Sequence, residues 1–463
     1  MAMANKYHFI GVNGIGMSAL ATVLVKQGHD VSGSDHSPNV NIKQFEALGI
    51  KIFNKHHSDN VPKDAVVVIS SAIKESNDEY KSAKLKGCKI MTRGDLLSTI
   101  ASNFETCIAI AGTHGKTTIT SLITTIFKVA NKEPSYFVGG HLLSEDDHIQ
   151  VHSGGGTFIT EVDESDGSFL KIKANQAVIS NIEQDHLDYY RTKQLLIDAF
   201  DTFMTSVTLS EKGICAINLD DPISKKIIKK GLDDAKFITF SIESKDAKIR
   251  AENIQYTWSG INFSLIINGN VVSDIKLSLF GTHNVYNALA AIAIAMVNDI
   301  PLKYIVNGLE SCRGVSRRLE LKYKANNIVL YDDYAHHPTE IITTLEGIYK
   351  SFSNHRIIAI FQPHRYSRLT SLFNEFGGAF GRASKVFVAP VFSAGEGPAG
   401  YKNSIDLANE INQNNIEAQY CDSFEIISDE IRLDIKEGDI IIIIGAGDIS
   451  LISKQIITII KGV

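Results

Sequence analysis

Cysteine is scarce in this chain of 463 residues, and no two cysteines are spaced as a pair. The five positions are Cys88, Cys107, Cys215, Cys312 and Cys421. An odd number of widely separated cysteines without a C-x-x-C pair excludes a disulfide framework and a cysteine-based zinc site. This usage is typical of a protein kept in the reducing cytosol, and we therefore expect a cytoplasmic location.

Long hydrophobic runs and an excess of basic residues are also missing. The strongest apolar runs, residues 287–297 and 440–444, are far shorter than the roughly 20 residues of a membrane helix. The segment Met1–Tyr7 lacks the apolar core of a secretion signal. With 46 Lys and Arg against 52 Asp and Glu, the formal charge is −6, which argues against general nucleic-acid binding. We expect neither membrane insertion nor a nucleic-acid partner.

Short β-branched runs alternate with helical patterns along most of the chain, which is typical of βαβ units and parallel sheets. Between Ala247 and Phe280 the sequence instead alternates apolar and polar residues around turn residues, which predicts antiparallel hairpins. We expect an α/β protein of three domains. These are a Rossmann-like domain over residues 1–103, a central P-loop domain with a mostly parallel sheet plus the hairpins over 104–315, and a second Rossmann-like α/β domain over 316–463.

A first glycine-rich loop, G-V-N-G-I-G-M-S at residues 11–18, lies between a predicted strand and a predicted helix. Glycines let the backbone approach a pyrophosphate, and a helix N-terminus offers unpaired N–H groups. Asp35 follows a second strand at the distance where an acid can bind ribose hydroxyls. The spacing departs from G-x-G-x-x-G, so a tight turn without a ligand stays open, and nothing specifies nicotinamide if a nucleotide binds.

A second loop, A-G-T-H-G-K-T-T at residues 111–118, follows the apolar strand Cys107–Ile110. Its end matches a P-loop, in which backbone N–H groups hold phosphates, Lys116 reaches the β- and γ-phosphates and Thr117 ligates Mg²⁺. The Walker pattern has a glycine where this chain has Ile110, so the loop is a shortened variant. Two different phosphate loops indicate an enzyme that couples ATP to work on a nucleotide-linked substrate.

Acidic segments follow two further predicted strands, E-V-D-E-S-D at 161–166 and N-I-E-Q-D-H at 181–186. The carboxyl ends of parallel strands share one sheet edge, where ligands bind. We expect a carboxylate such as Glu161 to hold Mg²⁺ there, whereas His186 is an unusual ligand for a hard cation. A solvated loop is the alternative interpretation of the acidic run.

Cationic and ionisable residues cluster in the C-terminal third, at His336–His337 and at His364, Arg365 and Arg368. The second group follows the predicted strand Arg356–Phe361. Arginine binds carboxylates and phosphates bidentately, so an anion site is at least as probable as a solvated helix start. Taken alone, the pair His336–His337 favours a polar loop with one buried histidine over a functional site.

Together these segments resemble one family, the ATP-dependent Mur ligases of peptidoglycan synthesis, over essentially the whole chain. The matching segments are GVNGIGMS (11–18), GTHGKTT (112–118), EVDESD (161–166), DHLD (185–188), GTHNVYNA (281–288), SRRLE (316–320), DDYAHHP (332–338) and QPHRYSR (362–368). The resemblance implies an amide bond formed through an acyl phosphate, with ATP and Mg²⁺ as cofactors.

The resemblance also implies residue roles. The UDP-sugar would be bound by Gly11, Gly14, Ile15, Gly16, Met17, Ser18, Asp35, Ser70, Ser71, His114, Arg365 and Arg368. ATP would be bound by Gly112, Thr113, His114, Gly115, Lys116, Thr117, Thr118, Asn284, Asn287, Arg318 and Asp332. Magnesium would be held by Thr117, Glu161 and His186. The catalytic group would comprise Lys116, His186, His336, His364 and Arg365.

One departure favours a branch of the family. Several sibling ligases carry a carbamylated lysine about 15 residues after the metal histidine, and here no lysine occurs between Lys193 and Lys212. This fits the branch that joins L-alanine to UDP-N-acetylmuramate, acting as a monomer or homodimer. Alternatives are the recycling ligase that attaches an intact peptide to the same sugar, a NAD-dependent oxidoreductase, and a nucleotide-switched binding protein.

Overall fold

The structure is a computed structural model that describes residues 5–36, 42–70, 72–143, 151–152, 154–183, 187–228 and 234–462. It contains three sheets, each formed by one successive part of the chain. Among the described residues, no helix is both long enough and apolar enough to span a bilayer.

The first sheet has five parallel strands in the order β3-β2-β1-β4-β5. Its strands are β1 (Lys6–Ile10), β2 (Asp30–Ser34), β3 (Lys51–Phe53), β4 (Val66–Ile69) and β5 (Lys89–Thr92). Its helices are α1 (Ile15–Lys26), α2 (Ile42–Ala47), α3 (Asp78–Leu85) and α4 (Arg93–Ala101). The strand order reverses at β1, so the loop after β1 opens at the topological switch point, where α/β sheets bind ligands.

The second sheet has ten strands in the order β15-β14-β13-β12-β11-β10-β6-β9-β7-β8. Its strands are β6 (Thr106–Ala111), β7 (Ser135–Phe137), β8 (Val151–His152), β9 (Thr157–Glu161), β10 (Gln176–Ile179), β11 (Ile214–Asn218), β12 (Phe237–Ser241), β13 (Ile249–Thr257), β14 (Gly260–Ile267) and β15 (Asn270–Leu277). The helices of this part of the chain are α5 (Lys116–Val129), α6 (Leu187–Tyr190), α7 (Lys193–Thr208), α8 (Pro222–Ile228), α9 (Thr282–Val297) and α10 (Leu302–Ser311).

The centre of this second sheet is parallel, from β7 through β9, β6, β10, β11 and β12 to β13. Two-residue connections then join β13 to β14 and β14 to β15, and such short turns join antiparallel strands. The mostly parallel sheet with added hairpins is therefore confirmed. Trp258, at the first of these turns, is 69% exposed, and the Lys324 ammonium lies 4.6 Å from its ring centroid.

The third sheet has six strands in the order β16-β17-β21-β18-β19-β20. Its strands are β16 (Glu320–Ala325), β17 (Ile328–Asp333), β18 (Ile357–Phe361), β19 (Lys385–Val388), β20 (Glu417–Tyr420) and β21 (Ile440–Ile444). Its helices are α11 (Pro338–Ser351), α12 (Tyr366–Ser371), α13 (Phe373–Gly378), α14 (Ser404–Gln413), α15 (Phe424–Asp434) and α16 (Ser453–Lys461). Only β16 runs antiparallel to its neighbour, so the Rossmann-like parallel sheet is confirmed with one antiparallel edge.

Apolar composition explains the central position of β21. Its five isoleucines are fully buried, because helices cover both faces of a parallel sheet and leave no polar side. Burying each such side chain contributes about 1.5–3 kcal/mol. The buried core around β21 therefore holds the carboxyl ends of the central parallel strands in place.

Contacts divide the chain into two compact units. The first comprises Met1–Glu252, Ser264–Ser273 and Tyr286–Cys312. The second comprises Asn253–Phe263, Asp274–Val285 and Arg313–Val463.

Candidate active site

The first glycine-rich loop leaves β1 at Gly11, whose φ of +86° is open to glycine at little cost. The backbone N–H of Asn13 donates to the Asp35 carboxylate at 3.0 Å, so Asp35 lies beside the loop as the sequence indicates. A Cβ at Gly11 would lie 3.4 Å from the Ser70 hydroxyl. Strand ends β1, β2 and β4 thus bring Gly11, Asp35 and Ser70 together, while Ser71 lies outside the described residues.

Helix α1 begins after Gly14, so its first N–H groups face the loop. Met17 and Ser18 are buried, and their N–H groups both donate to the Gly14 carbonyl at 2.9 Å, which closes the first turn of the helix. A Cβ on Gly16 would lie 3.2 Å from both Cδ and Nη1 of Arg93. Arg93 therefore packs directly against the start of this helix, and a Cβ at Gly16 would require the arginine side chain to shift by a few tenths of an ångström.

A buried carboxylate, Glu79, supports the strand that carries Asp35. It accepts hydrogen bonds from the Ser34 hydroxyl and, at 2.7 Å, from the Asn60 amide. The rings of His8 and His56 each lie 3.4 Å from its Oε2. Burial alone would raise the pKa of Glu79, but the hydrogen bonds from His8, Ser34 and Asn60 outweigh it and lower the pKa to about 2.

The second loop joins β6 to α5, as the sequence predicts. Gly112 has φ +132° and Gly115 has φ +88°, and a Cβ on Gly112 would lie 2.1 Å from the Ser180 hydroxyl. The N–H groups of Thr113 and His114 donate to the backbone and side-chain oxygens of Asn181 at 3.0 and 2.9 Å. The loop is therefore anchored to the segment after β10, at one sheet edge.

Lys116 is the first residue of α5, and Glu164 holds its ammonium. The Lys116 Nζ donates to the two carboxylate oxygens at 3.0 and 2.8 Å and to the carbonyls of Gly112 and Thr113 at 2.6 and 3.2 Å. Glu164 is 2% exposed, and burial raises its pKa although the charge of Lys116 opposes this. The lysine is thus positioned inside the loop, where phosphates bind in P-loops.

Oxygen donors suited to a hard cation lie next to the lysine. The Thr117 hydroxyl donates to Glu161 Oε2 at 2.7 Å, and Thr118 follows on α5. A Cβ on Gly139 would overlap the Glu161 carboxylate at 1.8 Å. A hydroxyl and a carboxylate fit Mg²⁺. Three converging metal-ligating His, Cys, Asp or Glu side chains do not occur in the described part of the chain, and His186 lies outside it.

The two asparagines predicted at the adenine side lie three residues apart on α9. Positions three apart share one helix face. A Cβ on Gly115 would lie 2.5 Å from the Asn287 amide oxygen, so Asn287 is in contact with the second loop. The Asn284 amide is buried and donates to the Phe280 carbonyl at 2.7 Å, which fixes the start of the helix.

In the C-terminal sheet, two neighbouring carboxylates end β17. Asp332 is 1% exposed, and Arg317 Nε lies 3.8 Å from its Oδ1. Asp333 accepts the N–H groups of Leu319 and Ala335 at 2.8 and 2.7 Å. Burial raises the pKa of each carboxyl to about 6. The guanidinium groups of Arg317 and Arg318 both stack on the Tyr334 ring.

The predicted histidine and arginine cluster lies in the segments that follow β17 and β18. The rings of His336 and His364 have centroids 6.1 Å apart. His336 Nδ1 lies 3.0 Å from the Tyr334 carbonyl, and Arg368 Nη1 lies 3.3 Å from His364 Nδ1. Burial lowers the pKa of His336, and burial together with the charge of Arg368 lowers the pKa of His364 to about 4. Arg365 has φ +73°, a strained conformation for a non-glycine residue at a helix start.

Three charged residues of these clusters had no assigned role from the sequence. Glu164 contacts Lys116 across 48 positions and Arg93 contacts Asp163 across 70, and Arg317 faces Asp332. Glu164 and Arg317 lie inside the family-like segments. The sequence does contain a signal for Glu164, because it belongs to the acidic run 161–166, which is predicted to lie at the same sheet edge as the second loop.

The chain matches three sequence families along its length. "Mur ligase family, catalytic domain" matches residues 6–105, "Mur ligase middle domain" matches 110–295, and "Mur ligase, glutamate ligase domain" matches 317–447.

Named relatives and solved structures agree with these matches. A Sulfurihydrogenibium protein named UDP-N-acetylmuramate–L-alanine ligase is 39% identical over 452 residues, covering 97% of each chain. A protein of the same name from Aquifex aeolicus is 37% identical, covering 96% of this chain and 95% of its own. The crystal structure of UDP-N-acetylmuramate–alanine ligase from Thermotoga maritima superposes with a TM-score of 0.85 at 27% identity, covering 99% of both chains. The chain belongs to the Mur ligase family.

Proposed function

We propose that this protein is an ATP-dependent ligase that joins the lactyl carboxylate of UDP-N-acetylmuramate to L-alanine in peptidoglycan precursor synthesis. The observation that carries the proposal is full-length similarity to relatives named for this reaction, at 36–39% identity. The two phosphate loops support it, because they give one site for a nucleotide sugar and another for ATP.

Each part of the chain has a role in the proposal. Residues 1–103 bind the UDP-sugar, 104–315 bind ATP, and 316–463 contribute groups for the amino acid and for ATP. The diphosphate binds at Gly14 and Gly16, the ribose at Asp35, and the ATP phosphates at Lys116. Substrates of this kind suggest a cytoplasmic enzyme, and sedimentation would distinguish a monomer from a homodimer.

The first chemical step activates an inert acid. A lactyl carboxylate oxygen attacks the γ-phosphorus of ATP, the bond to the β-bridging oxygen breaks, and ADP leaves, which gives an acyl phosphate. The work of the protein is to position these groups and neutralise their charge. The Lys116 ammonium donates to two carbonyls of the second loop, and it moves onto the phosphates when ATP binds.

The oxygen atoms of Thr117 and Glu161 are suited to bind Mg²⁺ beside the second loop. Thr117 and Glu161 supply oxygen ligands and would hold the ion beside Lys116. A bound Mg²⁺ neutralises phosphate charge and orients the phosphoryl group.

The second step forms the amide. The neutral amine of L-alanine attacks the acyl carbon, the bond from that carbon to the phosphate oxygen breaks, and orthophosphate leaves with one lactyl oxygen. The amine proton must pass to a base. A carbonyl oxygen only accepts, so His336 carries its hydrogen on Nδ1 facing Tyr334 and presents a lone pair at Nε2.

His364 has the opposite tautomer. The Arg368 guanidinium only donates, so His364 Nδ1 accepts and its Nε2 carries the hydrogen. We therefore assign the base to His336 and place His364 as a donor to the substrate. Both rings are neutral at pH 7, because burial lowers the pKa of each.

Isotope transfer tests the proposal directly. UDP-N-acetylmuramate labelled with ¹⁸O in the lactyl carboxylate should give orthophosphate that carries one label, together with a product heavier by one alanyl unit. Glycine, L-serine and an intact peptide serve as alternative acceptors, and product masses rank them. Unlabelled orthophosphate, or equal ATP turnover without the sugar, would overturn the ligase assignment.

A further inference from the structure

Two adjacent carboxylates after β9 each hold the cation of a different phosphate loop. Asp163 accepts from Arg93 at 2.8 Å, and Glu164 accepts from Lys116 at 2.8 Å. The Asp163 carboxylate therefore occupies one guanidinium nitrogen of Arg93, Nη2.

The position of Arg93 places positive charge at the first loop. It is the first residue of α4, and its Cδ and Nη1 lie 3.2 Å from where a Gly16 Cβ would stand. Gly16 belongs to the first turn of α1, and the N-terminus of a helix favours an anion. The Arg93 side chain is 23% exposed, so a ligand in the loop has access to it.

We propose that Arg93 binds the diphosphate of the UDP-sugar, and that Asp163 holds the guanidinium in place until the ligand displaces it. An arginine forms the same paired hydrogen bonds with a carboxylate and with a phosphate. Asp163 is thus an internal competitor, which keeps Arg93 ordered while the site is empty and limits the affinity for the sugar nucleotide. The inference deepens the proposed function, because it rests on assigning the UDP-sugar to the first loop.

A second ion pair between the same two parts of the chain provides a matched control. Lys171 donates to Asp95 at 2.7 Å, which links α4 to the 3-10 turn Ser168–Lys171. Asp95 lies in the same helix as Arg93 but its carboxylate caps the helix at Thr92. This pair links the two parts through side chains that are both exposed.

Calorimetric titration of the full-length protein with UDP, UMP and uridine tests the inference. Arg93→Ala should weaken UDP binding about tenfold or more and leave uridine binding unchanged, and Arg93→Lys should fall between. Asp163→Asn should tighten UDP binding several-fold, because it removes the competitor. Asp95→Asn should leave the affinities for UDP and for uridine unchanged.

A merely structural role for the ion pair gives a different result. Asp163→Asn would then weaken UDP binding together with Arg93→Ala, and that outcome, or no tightening at all, overturns the inference. So does an equal loss for UDP and uridine in Arg93→Ala. Failure of the wild-type protein to bind UDP would instead overturn the proposed function, so the two failures are distinguishable.

Discussion

The Lys116 ammonium is in contact with both oxygens of the buried Glu164 carboxylate, at 3.0 and 2.8 Å. The pair places the cation of the second loop before any nucleotide arrives. It also makes lysine replacements costly, because removing one partner leaves a buried charge without its counter-ion.

We expect Lys116→Ala to abolish phosphoryl transfer and to lower the free energy of unfolding by about 3 kcal/mol, while UDP binding is retained. ADP release and chemical denaturation measure the two effects. The double variant Lys116→Met, Glu164→Gln should recover stability but not turnover. ATP turnover close to wild type in either variant would contradict the P-loop assignment.

Replacing Gly115 by alanine should disrupt the second loop. Gly115 has φ +88°, and the new Cβ would lie 2.5 Å from the Asn287 amide oxygen. We expect a loss of about 1–3 kcal/mol in stability and weaker ATP binding, measured by thermal unfolding and calorimetry. Gly378→Ala is the control, because a Cβ there meets nothing within 4 Å; equal effects of the two variants would refute the steric explanation.

The pKa of the Asp332 carboxyl, raised to about 6 by burial, predicts a pH-dependent stability. Between about pH 4 and pH 6 the folded protein binds more protons than the unfolded chain, so the free energy of unfolding falls as the pH rises. Asp332→Asn removes this loss and should stabilise the protein by about 1–3 kcal/mol at pH 8, and less at pH 5. Denaturant titrations at both pH values measure the difference, and a benefit that is larger at pH 5 would show the sign to be wrong.

Glu79 should behave in the opposite way, because hydrogen bonds lower its pKa to about 2. Its contribution to stability is present above the unfolded pKa of about 4.5 and is lost as the pH falls toward 2. Glu79→Gln should cost about 3 kcal/mol at pH 7 and much less at pH 3. Glu375→Gln, at an exposed position, should have no effect at either pH, and a pH-independent cost at Glu79 would argue against this explanation.

The tautomers of the two histidines predict unequal effects on amide formation. His336→Gln should lower kcat by about 10²-fold or more, as loss of a general base does, without weakening ATP binding. His364→Gln retains a hydrogen-bond donor and should act more weakly. Rapid-quench measurement of acyl phosphate and amide checks this, because His336→Gln should still form the acyl phosphate. A larger loss in His364→Gln would reverse the assignment.

The sequence predicts most of the long apolar strands and misses several short or polar ones. The predicted strand Cys107–Ile110 lies inside β6 (Thr106–Ala111), and the predicted strand Arg356–Phe361 begins one residue before β18 (Ile357–Phe361). Strands β16 and β20 gave no signal, because edge strands carry polar residues such as those in Glu320–Ala325. Lys51–Phe53 is too short for a pattern.

The same distinction applies to the candidate site. Loops and helix starts depend on neighbouring residues, so the phosphate loops at Gly14–Gly16 and Gly112–Thr118 were predictable. The contacts of Arg93 and Glu164 depend on partners far along the chain. These two contacts become visible only once the structure shows how α4 and the end of β9 pack near the two phosphate loops.

The stacked pair of Lys324 and Trp258 has a practical consequence. Trp258 is the only tryptophan of the chain, and it belongs to the second compact unit. Indole emission excited at long wavelength therefore reports on that unit alone, so its melting can be followed optically while tyrosine and calorimetric signals record the whole molecule.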